Sequence, residues 1–230
     1  MADEVRLVSS RPARGAPVLL LDGQEMFSTV LMMALRVSGV DALRGDLVDI
    51  DAVLQQVGRL PVGLVLLDLN RGRNGHRQQV NPADLVSALR ARRWVVLVVS
   101  DRGGEDRIAA AIAAGAAGVC AKSSSLEHLL AVMLAASAGR PVMTEAQRQG
   151  WVARDRGYRA SQRDQTRRFD RLSAREREVL ALLIAGQRAT AIAEHFVVSM
   201  ATVRTQIRAI LVKLEVSSQL EAVALATHRQ

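Results

Sequence analysis

The chain has 230 residues, 31 basic and 23 acidic, for a formal net charge of +8 at pH 7. That length suits one large or two small domains, and 49% hydrophobic with 23% charged residues excludes wholesale disorder. One cysteine, Cys120, excludes an intramolecular disulfide framework and a multi-cysteine zinc site; no apolar run reaches the ~20 residues of a spanning helix, so a cytoplasmic protein without a membrane partner is expected.

The first part of the chain alternates short apolar runs with helical patterns. Residues 17–21 (PVLLL) read as a buried strand ending at Asp22. A helix over 26–38 follows, stopped by Gly39, then a weak strand near 41–44 and a helix near 50–57. Residues 64–67 (LVLL) form a second clear strand ending at Asp68. A helix over 81–92 has Pro82 in its first turn. The strand 94–99 (WVVLVV) ends at Ser100, a helix over 105–114 is closed by Gly115, and a short strand over 118–121 ends at Lys122. A helix over 126–138 closes at Gly139. Near-continuous apolar strands alternating with helices imply a parallel sheet covered on both faces. Five such units make a flavodoxin-like (βα)5 domain over 17–139, after an N-terminal extension of 16 residues.

Residues 140–171 differ. Nine Arg stand against four acids with little apolar periodicity, which reads as an interdomain linker. Trp151 and Tyr158 are seven apart and could share a face of a docked helix. Residues 172–230 are helical throughout. Ser173 and Glu176 form a capping box, as do Ser218 and Glu221, and Ser199 caps a helix over about 200–213. That helix carries Val203, Ile207, Ile210 and Leu211 on one face, with Thr205 and Arg208 on the other and Arg204 on the shoulder. A short helix and turn precede it, which is helix-turn-helix geometry. On pattern alone, Arg204 and Arg208 are a solvated helix face.

Asp22, Asp68, Ser100 and Lys122 each follow a parallel strand, so the fold gathers them at one sheet edge. Any one of them could be an ordinary loop-facing polar residue; four in register are hard to reconcile with accident. Carboxylates can accept a phosphoryl group and hold Mg²⁺, a hydroxyl can bond a phosphoryl oxygen, and a lysine can neutralise its charge. Residues 17–139 resemble a response-regulator receiver domain. The resemblance implies Asp68 as phosphoacceptor, supported by Asp22, Ser100 and Lys122. It implies a Mg²⁺ cofactor held by Asp22, Asp68 and the backbone of Asn70. Gly23 stands where the family has a second acid, so metal binding is expected to be weak; Glu25 could substitute with different geometry. Val119 replaces a common aromatic, and the usual Pro after the acceptor is missing. Cys120 reads as a small buried hydrophobe.

The run from Leu172 to Leu180, with Gly186, Ile192, Ser199, Thr202 to Arg204 and Ile210 to Ser217, resembles the LuxR-type helix-turn-helix almost end to end. The whole chain then resembles a NarL/FixJ-family response regulator, in which the receiver controls dimerisation and promoter binding. By position, Arg204, Thr205 and Arg208 would face base edges, and Ser199, Thr202 and Lys213 would contact phosphates. The final helix would dimerise through Leu220 and Val223. Gln206 stands where many members have His, and Glu215 replaces a common Gly. The implied partners are double-stranded promoter DNA, a second copy of the chain and a histidine kinase. The alternative is a regulator whose receiver answers to protein contacts or a small-molecule ligand without phosphorylation. No enzymatic activity is expected. A phosphotransferase using Asp68 is the remote alternative, set back by Asn70, because haloacid-dehalogenase-like phosphatases need a carboxylate there.

The charge is unevenly spread. Residues 1–139, 140–171 and 172–230 carry net +1, +5 and +2. The expectation of DNA binding therefore rests on a few placed residues, with net charge as a weak companion.

Overall fold

A computed structural model describes residues 16–69, 80–101 and 103–227. The chain divides into two compact units, Met1–Arg156 and Gly157–Gln230. The division falls inside the Arg-rich segment.

In the first unit, β1 (Val18–Leu21), β2 (Ala42–Gly45), β3 (Leu64–Asp68), β4 (Val95–Ser100) and β5 (Gly118–Ala121) form one parallel sheet in the order β2-β1-β3-β4-β5. The helices between and after them are α1 (Glu25–Val37), α2 (Ile50–Gly58), α3 (Pro82–Ala91), α4 (Glu105–Ala113) and α5 (Leu126–Ser137). Side chains alternate across a strand, so each apolar run serves two cores. Leu19, Leu21, Val65, Leu67, Val96 and Val98 pack with residues of α2, α3 and α4. Val18, Leu20, Leu64, Leu66, Leu97, Val99 and Cys120 pack with residues of α1 and α5. Helix starts are set locally: Asp49 accepts from the Ala52 amide, Asn81 from Ala83 and Ser125 from His128. At Gly63 the chain passes against Pro17, whose carbonyl accepts from the Leu64 amide at 2.9 Å; a Cβ on Gly63 would collide with that carbonyl.

The segment read as a linker is mostly one 26-residue helix, α6 (Glu145–Asp170). Trp151 packs against the α2–α4 core, and Arg148 donates to the Ala116 and Ala117 carbonyls at 3.0 and 2.9 Å. Tyr158, expected on the same docked face as Trp151, is exposed. Trp151 is held by the first unit, whereas Tyr158 already lies in the second.

The second unit holds the end of α6, then α7 (Ala174–Ile184), α8 (Ala189–Phe196), α9 (Met200–Leu214) and α10 (Gln219–Thr227). Its core includes Phe169, Leu172, Val179, Leu183, Ile192 and four residues of α9, namely Val203, Ile207, Ile210 and Leu214. The Ser173–Glu176 capping box is closed in both directions. The one expected at Ser218 is not. Ser218 accepts from the Glu221 amide, but the Glu221 carboxylate turns to the amide and hydroxyl of Ser217, one residue earlier. Those bonds hold Glu221 below the ordinary carboxylate range.

Candidate functional site

The parallel register brings the four strand-end residues together. Leu21 pairs with Leu67, and Ser100 with Ala121, so Asp22, Asp68, Ser100 and Lys122 end at one edge. Asp22, Asp68 and Ser100 are each at least nine-tenths buried. The Lys122 ammonium lies between the carboxylates, 3.0 Å from Asp22 Oδ1 and 2.7 Å from Asp68 Oδ2, and 5.0 Å from the centre of the Phe27 ring. Burial alone would lower the Lys122 pKa. Hydrogen bonds from Lys122 to Asp68 and Asp22, with their charges, outweigh it and hold the group above its usual value.

Asp22 Oδ1 also accepts from the Gln24 amide at 3.0 Å, while Asp22 Oδ2 is buried with no hydrogen-bond partner. The Ser100 hydroxyl donates to the Asp101 carbonyl. Gly23 is exposed, and the side chain of Glu25 is 85% exposed and faces Arg44 at 3.6 Å. Glu25 is the first residue of α1, and the helix carries it outward. Among the described residues no group of three His, Cys, Asp or Glu side chains could hold a metal. Asn70 and the segment to residue 79 lie outside the described residues. Val119 is half-buried, and burial pushes the Cys120 thiol up to about 11, which leaves it an inert core residue.

Sequence reasoning missed two neighbours of this site. Phe27 supplies the ring beside Lys122, and Arg107, on α4, donates to the Leu69 carbonyl next to Asp68. Only the sheet order places α4 beside the end of β3, so no local signal marks Arg107.

In the second unit, α9 buries one face and leaves Arg204, Thr205 and Arg208 exposed on the other. The turn from α8 to α9 passes through Val197, left-handed at φ 53° and 91% exposed. Ser199 caps α9 by accepting from the Thr202 amide, and the two hydroxyls are 2.9 Å apart. The Thr205 hydroxyl donates back to the Ala201 carbonyl. Lys213, expected at a phosphate, gives its ammonium to Glu176. Leu220 is 79% exposed, whereas Val223 packs partly against the core.

Residues 170–226 match the family model "Bacterial regulatory proteins, luxR family". The nitrate/nitrite response regulator protein NarP of Escherichia coli (strain K12) is 32% identical, over 76% of this chain and 77% of its own. The nitrate/nitrite response regulator protein NarL of the same strain is 28% identical over 94% and 96%. A probable transcriptional regulatory protein NarL of Mycobacterium tuberculosis (strain CDC 1551 / Oshkosh) is 29% identical over 93% and 94%. No helix of the described residues is long and apolar enough to cross a membrane.

Proposed function

Since the chain belongs to the NarL/FixJ family of response regulators, with a LuxR-type DNA-binding domain, we propose that Asp68 accepts a phosphoryl group from a histidine kinase and that this event controls dimerisation and promoter binding. The observation that carries the reading is the buried Asp22–Lys122–Asp68 ion triad with Ser100 beside it. An Asp68 carboxylate oxygen would attack phosphorus as the bond to the donor breaks. Lys122 would neutralise the added charge, and the Ser100 hydroxyl would turn from Asp101 to a phosphoryl oxygen. The unpartnered Asp22 Oδ2 fits a cation, so Asp22 and Asp68, with the Asn70 backbone, would hold Mg²⁺. The ion would screen charge on the transferring group; with Gly23 in place of an acid, it would bind weakly.

A second reading is favoured by that same glycine and by Lys122 bridging both acids. The site is largely charge-paired by its own residues, as suits a regulator that answers to a protein contact or a small ligand. Treatment with acetyl phosphate and Mg²⁺ separates the two. A mass increase of one phosphoryl group in wild type, absent in Asp68→Asn and accompanied by tighter promoter binding, supports the first. Unmodified protein with full promoter binding supports the second.

On DNA, Arg204, Thr205 and Arg208 would read base edges while Ser199 and Thr202 contact phosphates. Lys213 would reach a phosphate only by leaving Glu176. Two copies joined through Leu220 and Val223 would read half-sites about 34 Å apart.

A further inference from the structure

The exposed face of α9 runs one turn further than the residues proposed to read bases. At 100° per residue, Ala201, Arg204, Thr205, Arg208 and Val212 fall within about 100° of one another, and all five are exposed. The buried Val203, Ile207, Ile210 and Leu214 lie on the opposite side. Val212 is 76% exposed and forms the apolar end of a face that carries two arginines. Single apolar residues on a surface are ordinary. This one is set apart by its register: it continues the series through Ala201, Arg204 or Thr205, and Arg208 at the next helical step.

The chemistry of the side chain selects its contact. Valine has no donor for a phosphate oxygen or a base nitrogen. The neighbouring cation does not stand in for it: Lys213 lies about 100° further round the helix and holds Glu176 at 2.8 and 2.6 Å. In the major groove, the base-edge group that an apolar side chain meets is the C5-methyl of thymine. Val212 follows Arg208 by four residues, about 6 Å along the axis, which corresponds to about two base pairs of a duplex. Taking Val212 and a thymine methyl out of water together is favourable, and uracil, which lacks the methyl, cannot supply that gain. We propose that Val212 is a specificity-determining residue of the proposed DNA-reading face. It meets the C5-methyl of a thymine about two base pairs from the base read by Arg208, toward the C-terminal end of α9. The inference rests on the reading of α9 as the recognition helix, and it puts a sequence preference where the helix offers neither a hydrogen bond nor a charge.

The test starts from duplexes that the wild-type full chain selects from a random pool. Uracil then replaces each thymine of the selected half-site in turn, which removes one methyl group and nothing else. One such replacement should weaken wild-type binding about fourfold and leave Val212→Ala binding unchanged. Val212→Ala should itself bind the thymine duplex about three- to tenfold more weakly, with the salt slope of wild type, because no phosphate contact is lost. The position at which Arg208→Ala loses its preference should lie about two base pairs from that thymine. Uracil costs that all persist in Val212→Ala would overturn the proposal. A Val212→Lys chain that keeps the methyl sensitivity of wild type and steepens the salt slope by about one would place the position at the phosphates instead. A weaker dimer for Val212→Ala, sedimented without DNA, would place it between two copies instead. A wild-type chain that selects no sequence overturns the reading of α9 as well, whereas selection without a methyl effect that depends on Val212 overturns this inference alone.

Discussion

Lys213 reaches both carboxylate oxygens of Glu176, at 2.8 and 2.6 Å. The same carboxylate accepts from the Ser173 amide, so one side chain ties the start of α7 to the last turn of α9. The cation expected on DNA is therefore also a brace of the unit that carries the proposed DNA-reading face.

The brace has a stability cost if broken. The Lys213 side chain is about one-third exposed, and Lys213→Met should destabilise the full chain by about 1–2 kcal/mol in urea unfolding at pH 7. Burial alone would raise the Glu176 pKa, but the bonds from Lys213 and Ser173 prevail and hold it below its ordinary 4.5. A depressed folded pKa gives stability that is complete above the ordinary value and is lost as pH falls through the folded one. Glu176→Gln should therefore flatten the acid limb of the stability curve below about pH 4.5. An unchanged limb would remove Glu176 from the account.

Lys122 titrates in the opposite sense. Its folded pKa lies above 10.5, so its contribution is complete below that value and is lost as pH rises through the folded one. Lys122→Met removes the cation that two buried carboxylates share and should cost about 3–5 kcal/mol. Adding Asp68→Asn should recover part of that loss. Denaturant unfolding of the two variants at pH 7 measures the difference, and no recovery would mean that the penalty does not lie at Asp68.

Glu215 closes α9 in a left-handed conformation, φ 57°, and accepts from Arg168 and Arg171, each at 3.1 Å. The backbone conformation costs a non-glycine residue about 1–2 kcal/mol, and exposed ion pairs return up to about 1 kcal/mol each. Glu215→Gly should thus lie within about 1 kcal/mol of wild type in dilute buffer and become the more stable form at 1 M salt, where the pairs are screened. Paired melts at the two ionic strengths decide it; parallel salt responses would count against the ion pairs.

For DNA, Arg204→Ala or Arg208→Ala should weaken specific binding by about 1–3 kcal/mol where a bidentate base contact is lost. Lys213→Met adds a finer test. If Lys213 leaves Glu176 for a phosphate, the slope of log binding constant against log salt should fall by about one. If Glu176 keeps it, the slope should not change. Titrations at several salt concentrations give both readings, and unchanged footprints for both arginine variants would refute the assigned face.

Strands β1, β3 and β4 were legible because both faces of the sheet are covered there, which makes each a nearly continuous apolar run, whereas the edge strand β2 carries Arg44 and reads weakly. Asp22, Asp68, Ser100 and Lys122 were legible because they end those runs. The full length of α6 was not, beyond the hint of a docked helix at Trp151: Gly150, Gly157 and many Arg give it little periodicity, and distant partners hold it, among them the Ala116 and Ala117 carbonyls for Arg148. The bond between Glu176 and Lys213 joins residues 37 apart, and Arg107 reaches Leu69 across 38, so neither leaves a local pattern. At Ser218 the sequence offers two serines in a row, and spacing alone does not say which receives the Glu221 carboxylate.

Trp94 and Trp151 are the two tryptophans of the chain, and both belong to the unit Met1–Arg156. Trp94 is 1% exposed, and Trp151 packs on the same core beneath the Arg154 guanidinium. Intrinsic tryptophan emission is thus a native, label-free reporter of the receiver unit alone, while far-ultraviolet dichroism sums the helices of both units. Overlaying the two signals in a single denaturant titration tells whether the protein melts as one cooperative body or as two.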